Sequence, residues 1–513
     1  MNAESWLINF LDRAIAVLSP VSAARRQHAR AILQRSNLYA AAKTTRLTGS
    51  WTTISPNVND IIGASSPAVR ARVRQLVRDF PFFARAVKNL VDYTVGQGIM
   101  FQSRVKTADG KLDKKSIQVI EDAWKWWCDE ADTARKLHYY EIMRLAKRQD
   151  VESGEFLIVK NITRNANQYL PYSLQVYEAD WLTSAHDSYG AGGIGIGAAP
   201  GEKETRQGIE YEKSTGRVIG YWFCDPNYSG RDTYIRADQV IHGFDMLRPQ
   251  QLRGISPFAP GVLLAHDLDD YMGAEIDGAK FAAKWVAKIK RSDPATAQML
   301  NGITGNTNTA SIASSVEELE NGIIEYVSHG DDIDLMSSNR PGTTFDPFVR
   351  LLLTMLSITT DVPYELLTGD YRGLTFSAAR IVRNDFQQQL RPISARHIRQ
   401  YGMATFKPFL DWSVLTGKVT LPNYFQNPRH YWESEWQPPG MEAVDPLREA
   451  KGQIDAILGL LKSPQEVARA RGRDLEDIYR EIQDAKDMAR EYGLEFKKPS
   501  TSVANNPASI MEE

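Results

Sequence analysis

The spacing of apolar residues changes several times along this 513-residue chain, and each change marks a different kind of element. From Arg13 to Arg78 the chain runs through Ala-rich stretches with helical spacing, broken at Ser19-Pro20 and by a polar loop near Ser55-Pro56. Beyond them FLIVKNI, SLQVYEADWL, GIEYEKSTGRVIGYWF and QVIHGF are rich in β-branched and aromatic residues with turn formers between, which predicts antiparallel strands in a mixed α/β domain. Val262 to Lys290 then carries no proline and predicts one helix about 43 Å long. A Ser/Thr/Asn/Gly-rich connection follows, then the apolar helix PFVRLLLTMLSIT, a loop broken by Pro363, Gly369 and Gly373, and a helix resuming near Ser377. Pro438-Pro439-Gly440 marks a boundary before three mixed-charge helices capped by Asp or Ser, and the polar tail from Pro499 predicts disorder.

Wound at 100° per residue, the Val262 to Lys290 segment gathers Asp269, Asp270, Asp277, Lys280, Lys284 and Lys288 into one charged stripe. The acids lie toward its N-terminus and the lysines toward its C-terminus, as the helix dipole favours. Ala274, Gly278 and Ala282 form one row of small residues, and Ala279, Ala283 and Ala287 another. Such rows let helices approach closely, whereas a helix buried in an ordinary core uses larger side chains to fill volume.

Composition narrows the function classes. With 61 Lys+Arg against 63 Asp+Glu the net charge is -2, so any nucleic-acid contact is local or weak rather than a chain-wide phosphate grip. The charge is unevenly placed: Arg13 to Arg78 holds eleven bases and one acid, Asp60, while Val316 to Asp346 holds eight acids and one base, Arg340. The first reads as a basic arm with a solvated face, the second as an inserted, solvent-facing piece. Cys128 and Cys224 stand far apart, which excludes a disulfide framework and a cysteine zinc site. Glu4, Asp12 and Arg13 interrupt the apolar start, against a cleaved signal, and the run Leu351 to Ile358 is far short of the roughly 18 residues that span a bilayer, so no membrane is expected.

Catalytic signatures fail on context. Gly190, Gly192 and Gly195 have GxGxxG spacing, but GAAPGEKETRQ follows instead of the helix that would hold a pyrophosphate. Gly417-Lys418 lacks the upstream glycine of a P-loop, no histidine sits in HExxH, and His242 reads as a satisfied strand-end residue. No catalytic, cofactor or metal residue can be placed, and carboxylates cannot be paired across a cleft from sequence.

The order of motifs resembles the portal proteins of tailed bacteriophages, specifically the lambda-like portal family. The resemblance covers nearly the whole chain: Ser19-Pro20 with Arg25, Arg26 and Arg30; RARVRQLVRDFPFFARAV and VGQGI; GIEY, GRVIGYWF and VIHGF; RPQQLRGISPFAPGVL; DVPYELLTGDY with Ser377-Ala378-Ala379-Arg380; and VDPLREA. Two departures stand out. Asp361 occupies a position where a glycine commonly precedes Val-Pro, and Leu374-Thr375-Phe376 replaces a more usual Asn-Tyr-Ser.

The resemblance implies an α+β portal fold assembled as a ring: residues 1–60 a basic N-terminal arm, 61–261 a mixed α/β wing, 262–290 the first of two long stem helices, 291–345 a small clip insertion, 346–360 the second stem helix, 361–376 a tunnel loop, 377–440 a return helix and more wing, 441–497 an α-helical crown and 498–513 a disordered tail. It implies a dodecameric ring at one capsid vertex, present in the host cytoplasm during assembly and in the virion afterwards. Terminase packages double-stranded DNA through it, DNA later leaves through it, and the major capsid protein and head-tail adaptors attach to it. Twelve helices spaced roughly 8 to 10 Å apart leave a bore of about 20 to 28 Å, wide enough for a duplex. By the same implication the small-residue rows pack the stem, Gly369, Asp370, Arg372 and Gly373 form the tunnel loop, and Glu317, Glu318 and Glu320 meet terminase or adaptor at the clip. A ring-forming scaffold without DNA passage, or a soluble hydrolase with unlocated carboxylates, are the alternatives.

Overall fold

The computed structural model describes residues 50, 52, 54–163, 168–188, 199, 201–225, 231–284, 288–291, 331–334, 342, 344–440, 446–471, 473 and 475–493. The chain divides into two units, Met1–Asn57 and Val58–Glu513. In the first, the Ile54 amide donates to the Thr52 hydroxyl, which donates back to the Ile54 carbonyl. The glycines 190, 192 and 195, the clip acids 317, 318 and 320, and the expected disordered tail all lie outside the described residues.

The second unit begins with α1 (Val58–Asp79) and α2 (Pro81–Thr94), joined at Phe80, where Pro81 opens the new helix without needing its missing N–H. Strand β1 (Met100–Ser103) leads to α3 (Lys114–Asp129) and α4 (Tyr139–Glu152). The Asp113 carboxylate caps α3 by accepting from the Ser116 amide, and His138 with Glu141 forms a capping box on α4. Next come β2 (Glu155–Ile162), β3 (Tyr172–Tyr177), β4 (Lys203–Arg206), β5 (Ile209–Glu212), β6 (Val218–Cys224), β7 (Asp232–Arg236) and β8 (Val240–Phe244). They make two antiparallel sheets in the orders β3-β2-β8 and β4-β5-β6-β7. Among the described residues the element after the glycine-rich stretch is strand β4 and not a helix.

The long helix expected over Val262 to Lys290 is shorter than its sequence suggests. Helix α5 spans Val262–Lys284, and Lys288–Arg291 is instead a strand, β9, antiparallel to β10 (Asp331–Asp334). In the register of this ladder Lys288, Lys290 and Arg291 stand opposite Asp334, Asp332 and Asp331, and Ile289 opposite Ile333. Lys288 therefore leaves the helical stripe, and Ala287 lies outside the described residues.

Helix α6 (Phe345–Thr360) returns beside α5, followed by the short α7 (Tyr364–Thr368) and α8 (Phe376–His397). Through a π-turn at Ile398–Gly402, α8 continues directly into α9 (Met403–Leu415). Then α10 (Pro428–Tyr431) leads to β11 (Ser434–Gln437), which pairs antiparallel with β1. The segment read as a crown holds α11 (Pro446–Leu458), α12 (Pro464–Ala470) and α13 (Leu475–Glu491).

Three cores result. The first is aromatic, built by α3, α4, α9, β1 and β3 around Trp124, Trp127, Tyr139, Tyr172 and Phe409. Trp127 stacks on Tyr172 at 5.3 Å between centroids and donates its indole N–H to the Tyr172 carbonyl at 2.8 Å. The second joins α1, α2, α5, α6 and α8 through Val73, Phe83, Phe258, Leu268, Leu356 and Phe386. The third lies between the two sheets.

Charge is buried beside these cores. Arg70 and Arg74, read as part of a solvated basic arm, instead bond Asp180 at 2.6 and 2.7 Å, and Arg70 is buried. Arg70 is drawn in because Glu155, fully buried on β2, needs positive charge nearby, and Arg74 follows through the shared Asp180. A second group joins Lys147, Asp150 and Arg396, with Asp150 bonded to the two cations at 2.7 and 3.0 Å. Next to it His397 donates from Nε2 to the Met143 carbonyl at 3.2 Å and stacks flat on Tyr401.

Burial, reinforced by the neighbouring Lys147 charge, pushes His397 down to about 3. The unfolded chain takes up that proton near pH 6.5 and the folded one does not, so this histidine's contribution is present above pH ~6.5 and is lost as pH falls toward 3. Between pH 7 and pH 5 it should remove about 2 kcal/mol of stability. Denaturant unfolding of the wild type and of His397→Gln at both pH values is expected to show most of this dependence gone in the variant, whatever its absolute stability. An unchanged slope would contradict a neutral buried imidazole.

Candidate functional site

The surface around α5, α6 and the loop after them gathers most of the residues singled out by sequence. It is launched from a wired segment. The Glu155 carboxylate accepts from Arg253 at 2.5 to 2.9 Å, from His242 Nε2 at 3.0 Å and from the Gly254 amide at 3.0 Å. Burial alone would raise its pKa, but the Arg253 charge and the His242 bond hold it far below the carboxylate range. His242 Nδ1 accepts from Tyr221 at 3.4 Å, so the histidine is satisfied as expected, although it stands in the middle of β8 and not at a strand end. Gly154 (φ +83°) and Gly254 face each other so closely that a Cβ on either would overlap the other segment's backbone. Gln251 and Asn59 bond the surrounding backbone, so the chain enters α5 from a fixed position.

Val262, Ala265 and Leu268 bury the base of α5 against Leu353 and Leu356 of α6. Farther out, Tyr271 stacks on Phe345 and meets Phe348 edge-on. At the base a Cβ on Gly261 would sit 2.5 Å from Thr359 Oγ1, so the two helices meet there because glycine has no side chain. Along α5, Asp269, Asp270, Asp277 and Lys280 are exposed, with Lys280 bonded to Asp277 at 2.9 Å and His266 beside Asp270 at 3.4 Å. Ala274 is exposed, and Gly278 and Ala279 are half-buried. Ala282, Ala283 and Lys284 continue the helix.

Helix α6 is apolar nearly all round. One side fills the core, while Leu351, Met355 and Ile358, at i, i+4 and i+7, are 46 to 70% exposed on the other. Phe376 and Ile381 at the start of α8 are also exposed. A helix apolar on both sides calls for a partner on each. The sequence reading took this run as the second stem helix and set aside a membrane span; its lack of a polar face was the available signal for a contact on the outer side.

Asp361 ends α6 in the left-handed conformation (φ +53°), which explains why a glycine is usual there and why aspartate, tolerant of that region, can replace it. The loop is not wholly irregular, since α7 occupies its first half. Arg85 and Asn89 of α2 donate to the Leu366 carbonyl at 3.1 and 3.0 Å, and Leu367 is buried, so the loop's root is fixed. Gly369 and Gly373 have φ +75° and +77° with open space around them; backbone conformation, not crowding, requires glycine. Arg372 turns back onto Asp370, donating at 2.8 and 2.9 Å, and Arg350 lies 3.6 Å from the same carboxylate. The Arg372 bond first, then its backbone amide, holds Asp370 well below the carboxylate range. Arg380, in the first turns of α8, is exposed and has no ion-pair partner among the described residues.

Among the described residues no three His, Cys, Asp or Glu side chains come together as a metal site, and no helix is long and apolar enough to cross a membrane. Burial pushes the Cys128 thiol up, which suits a core residue rather than a nucleophile.

Comparison with known proteins places this geometry. The sequence profile of the lambda family of phage portal proteins matches residues 44–393. A probable portal protein of Halomonas phage phiHAP-1 is 25% identical over 471 residues, covering 87% of this chain and 85% of that one. Portal protein B of Escherichia phage lambda is 20% identical over 496 residues, covering 89% and 90%. A chain from the neck of an empty gene transfer agent particle covers 79% of this chain and 93% of its own length at 15% identity, with a TM-score of 0.44, too loose a likeness to bear on detail.

The Gly261 contact carries a stability prediction. Gly261→Ala forces α5 and α6 apart at their base and should cost about 1 to 3 kcal/mol in denaturant unfolding. Wild-type stability would mean that the helices do not depend on this approach.

Proposed function

Because the chain belongs to the lambda family of phage portal proteins, we propose that it works at the capsid vertex as a ring of twelve copies around a DNA channel. Terminase would drive double-stranded DNA in through that channel, head-tail adaptors would attach to the ring afterwards, and the major capsid protein would hold its rim. The subunits would be made and assembled in the host cytoplasm. The role is structural rather than catalytic. One observation supports the ring above all: α6 buries one apolar side in its own core and leaves Leu351, Met355 and Ile358 bare on the other. A neighbouring copy, repeated around an axis, covers such a surface without leaving a free end. The small residues Ala274, Gly278, Ala279, Ala282, Ala283 and Ala287 would allow close spacing there.

The charge pattern favours passage over capture. Lys280 is engaged by Asp277 and Arg372 by Asp370, so these two cations are already partnered when phosphates that must keep moving pass them. Within the loop Gly369, Asp370, Arg372 and Gly373 would meet the duplex briefly. At the clip Glu317, Glu318 and Glu320 would steer terminase and adaptor.

Ring formation and DNA passage can be tested separately. Ile358→Glu should leave unfolding within about 0.5 kcal/mol of wild type, because the site is exposed, yet shift sedimentation from rings to single chains. Rings of unchanged mass would remove α6 from the interface, and rings without an open axis in negative stain would favour the scaffold alternative.

Arg372→Glu places two carboxylates side by side in the loop and turns each copy's cation into an anion facing DNA. Assembly should be normal while virions hold a shortened genome. Full-length DNA at wild-type yield would exclude Arg372 from the channel's work.

A further inference from the structure

Helix α6 leaves one apolar side bare, and the charge beside it narrows what fits there. Tyr271 of α5 faces α6, and by helical phase Asp267 and Asp270 lie within about 100° of it on the side turned away from the core. Their side chains are 81% and 73% exposed, and among the described residues the only ion-pair contact of either is with His266. From Val262 to Ala279 the helix holds five Asp or Glu and no Lys or Arg, and the next cation, Lys280, is taken up by Asp277. The outer surface is therefore apolar along α6, at Leu351, Met355 and Ile358, and acidic along α5.

Helix α8 carries the complement. Its buried side holds Phe386, Leu390, Ser394 and His397, and its opposite side presents Arg380, Asn384, Gln388 and Arg391 at i, i+4, i+8 and i+11, with the exposed Ile381 at the edge. Between Phe376 and Pro392 there are three arginines and one acid, Asp385. Arg380 and Arg391 have no ion-pair partner among the described residues, and Arg391 reaches only Gln388, at 3.4 Å. The two surfaces do not neutralise each other within the chain, because α8 packs on α2 whereas α5 packs on α1 and α6. Two α8 stripes would repel each other, as would two acidic α5 sides, whereas one of each attracts. Unlike surfaces of one molecule make a head-to-tail contact, which closes into a ring when the rotation allows. DNA would also suit the arginines, but it would leave Ile381 and the bare side of α6 uncovered.

We propose that the outer side of α8 docks on the α5–α6 surface of the next copy of this chain, with Ile381 against the apolar strip of α6 and Arg380 and Arg391 toward the acids of α5. The inference rests on the ring reading and names the surface that covers α6. Each copy then gives α8 to one neighbour and α5–α6 to the other, so the contact has a direction.

The test uses the full chain. Arg380→Glu with Arg391→Glu, and separately Asp267→Arg with Asp270→Arg, should each lower the fraction sedimenting as rings on the order of tenfold at fixed concentration. The denaturant midpoint should stay at the wild-type value, because all four side chains are exposed. A chain carrying all four substitutions restores the attraction with its sign reversed and should recover most of the rings. Intact rings in either double variant, or no recovery in the fourfold one, would overturn the proposal. If the Arg380 and Arg391 variant assembles normally but its rings lose salt-dependent binding of a short DNA duplex, the stripe serves DNA and this contact falls. Sedimentation of the unsubstituted chain reports the ring itself, so single chains there would overturn the ring reading and not merely this contact.

Discussion

A carboxylate without solvent must be met by charge or it will not stay ionised, and Glu155 imposes that requirement on half the molecule. Satisfying it draws Arg253 and Gly254 from the segment before α5, His242 from β8 and Arg70 from α1 to one point. Asp180 in turn engages the far side of Arg70 and recruits Arg74. Replacing any one member leaves the others buried and unpaired, so the cluster acts as a unit. Its consequence lies outside the sheet. The path into α5 is fixed before the helix begins, and the stem's direction is set by a polar core some distance from the surfaces it presents.

Much of this was legible in the chain because period and punctuation report local structure. The strands appeared as β-branched and aromatic runs, α6 as an apolar helix, α11 to α13 as capped amphipathic stretches, and the loop at Pro363, Gly369 and Gly373 as a break. Where the reading failed, partners distant in sequence decided the outcome. Lys288 to Arg291 continue a helical pattern by themselves and become a strand with Asp331–Asp334 standing opposite. Arg70 and Arg74 look like solvated charge until Asp180, more than a hundred residues away, is placed beside them. Arg372 reads as a lone cation, although Asp370 two residues earlier engages it.

Family membership and physical reading meet at Asp361. The resemblance marked it as a departure from glycine; the backbone shows why the departure is tolerated, since the position needs a left-handed turn that aspartate can adopt. The residues that identify the family are thus not all functional. Some record only the backbone conformation that the fold requires.

The π-turn between α8 and α9 joins a helix rooted in the aromatic core to one that carries the loop at its far end. Gly402 packs where a Cβ would lie 3.2 Å from Trp436, which anchors the inner end. The outer helix has 22 residues, an arm of about 33 Å with Pro392 inside it near the π-turn. A rotation of about 5° at the π-turn would carry the loop end of that arm through roughly 3 Å, about the length of one hydrogen bond, and would have to move Phe386 and Leu390 within the second core. Angular strain at the π-turn is therefore shared between the loop and the second core, because the helix that joins them is buried at Phe386 and Leu390 along the way.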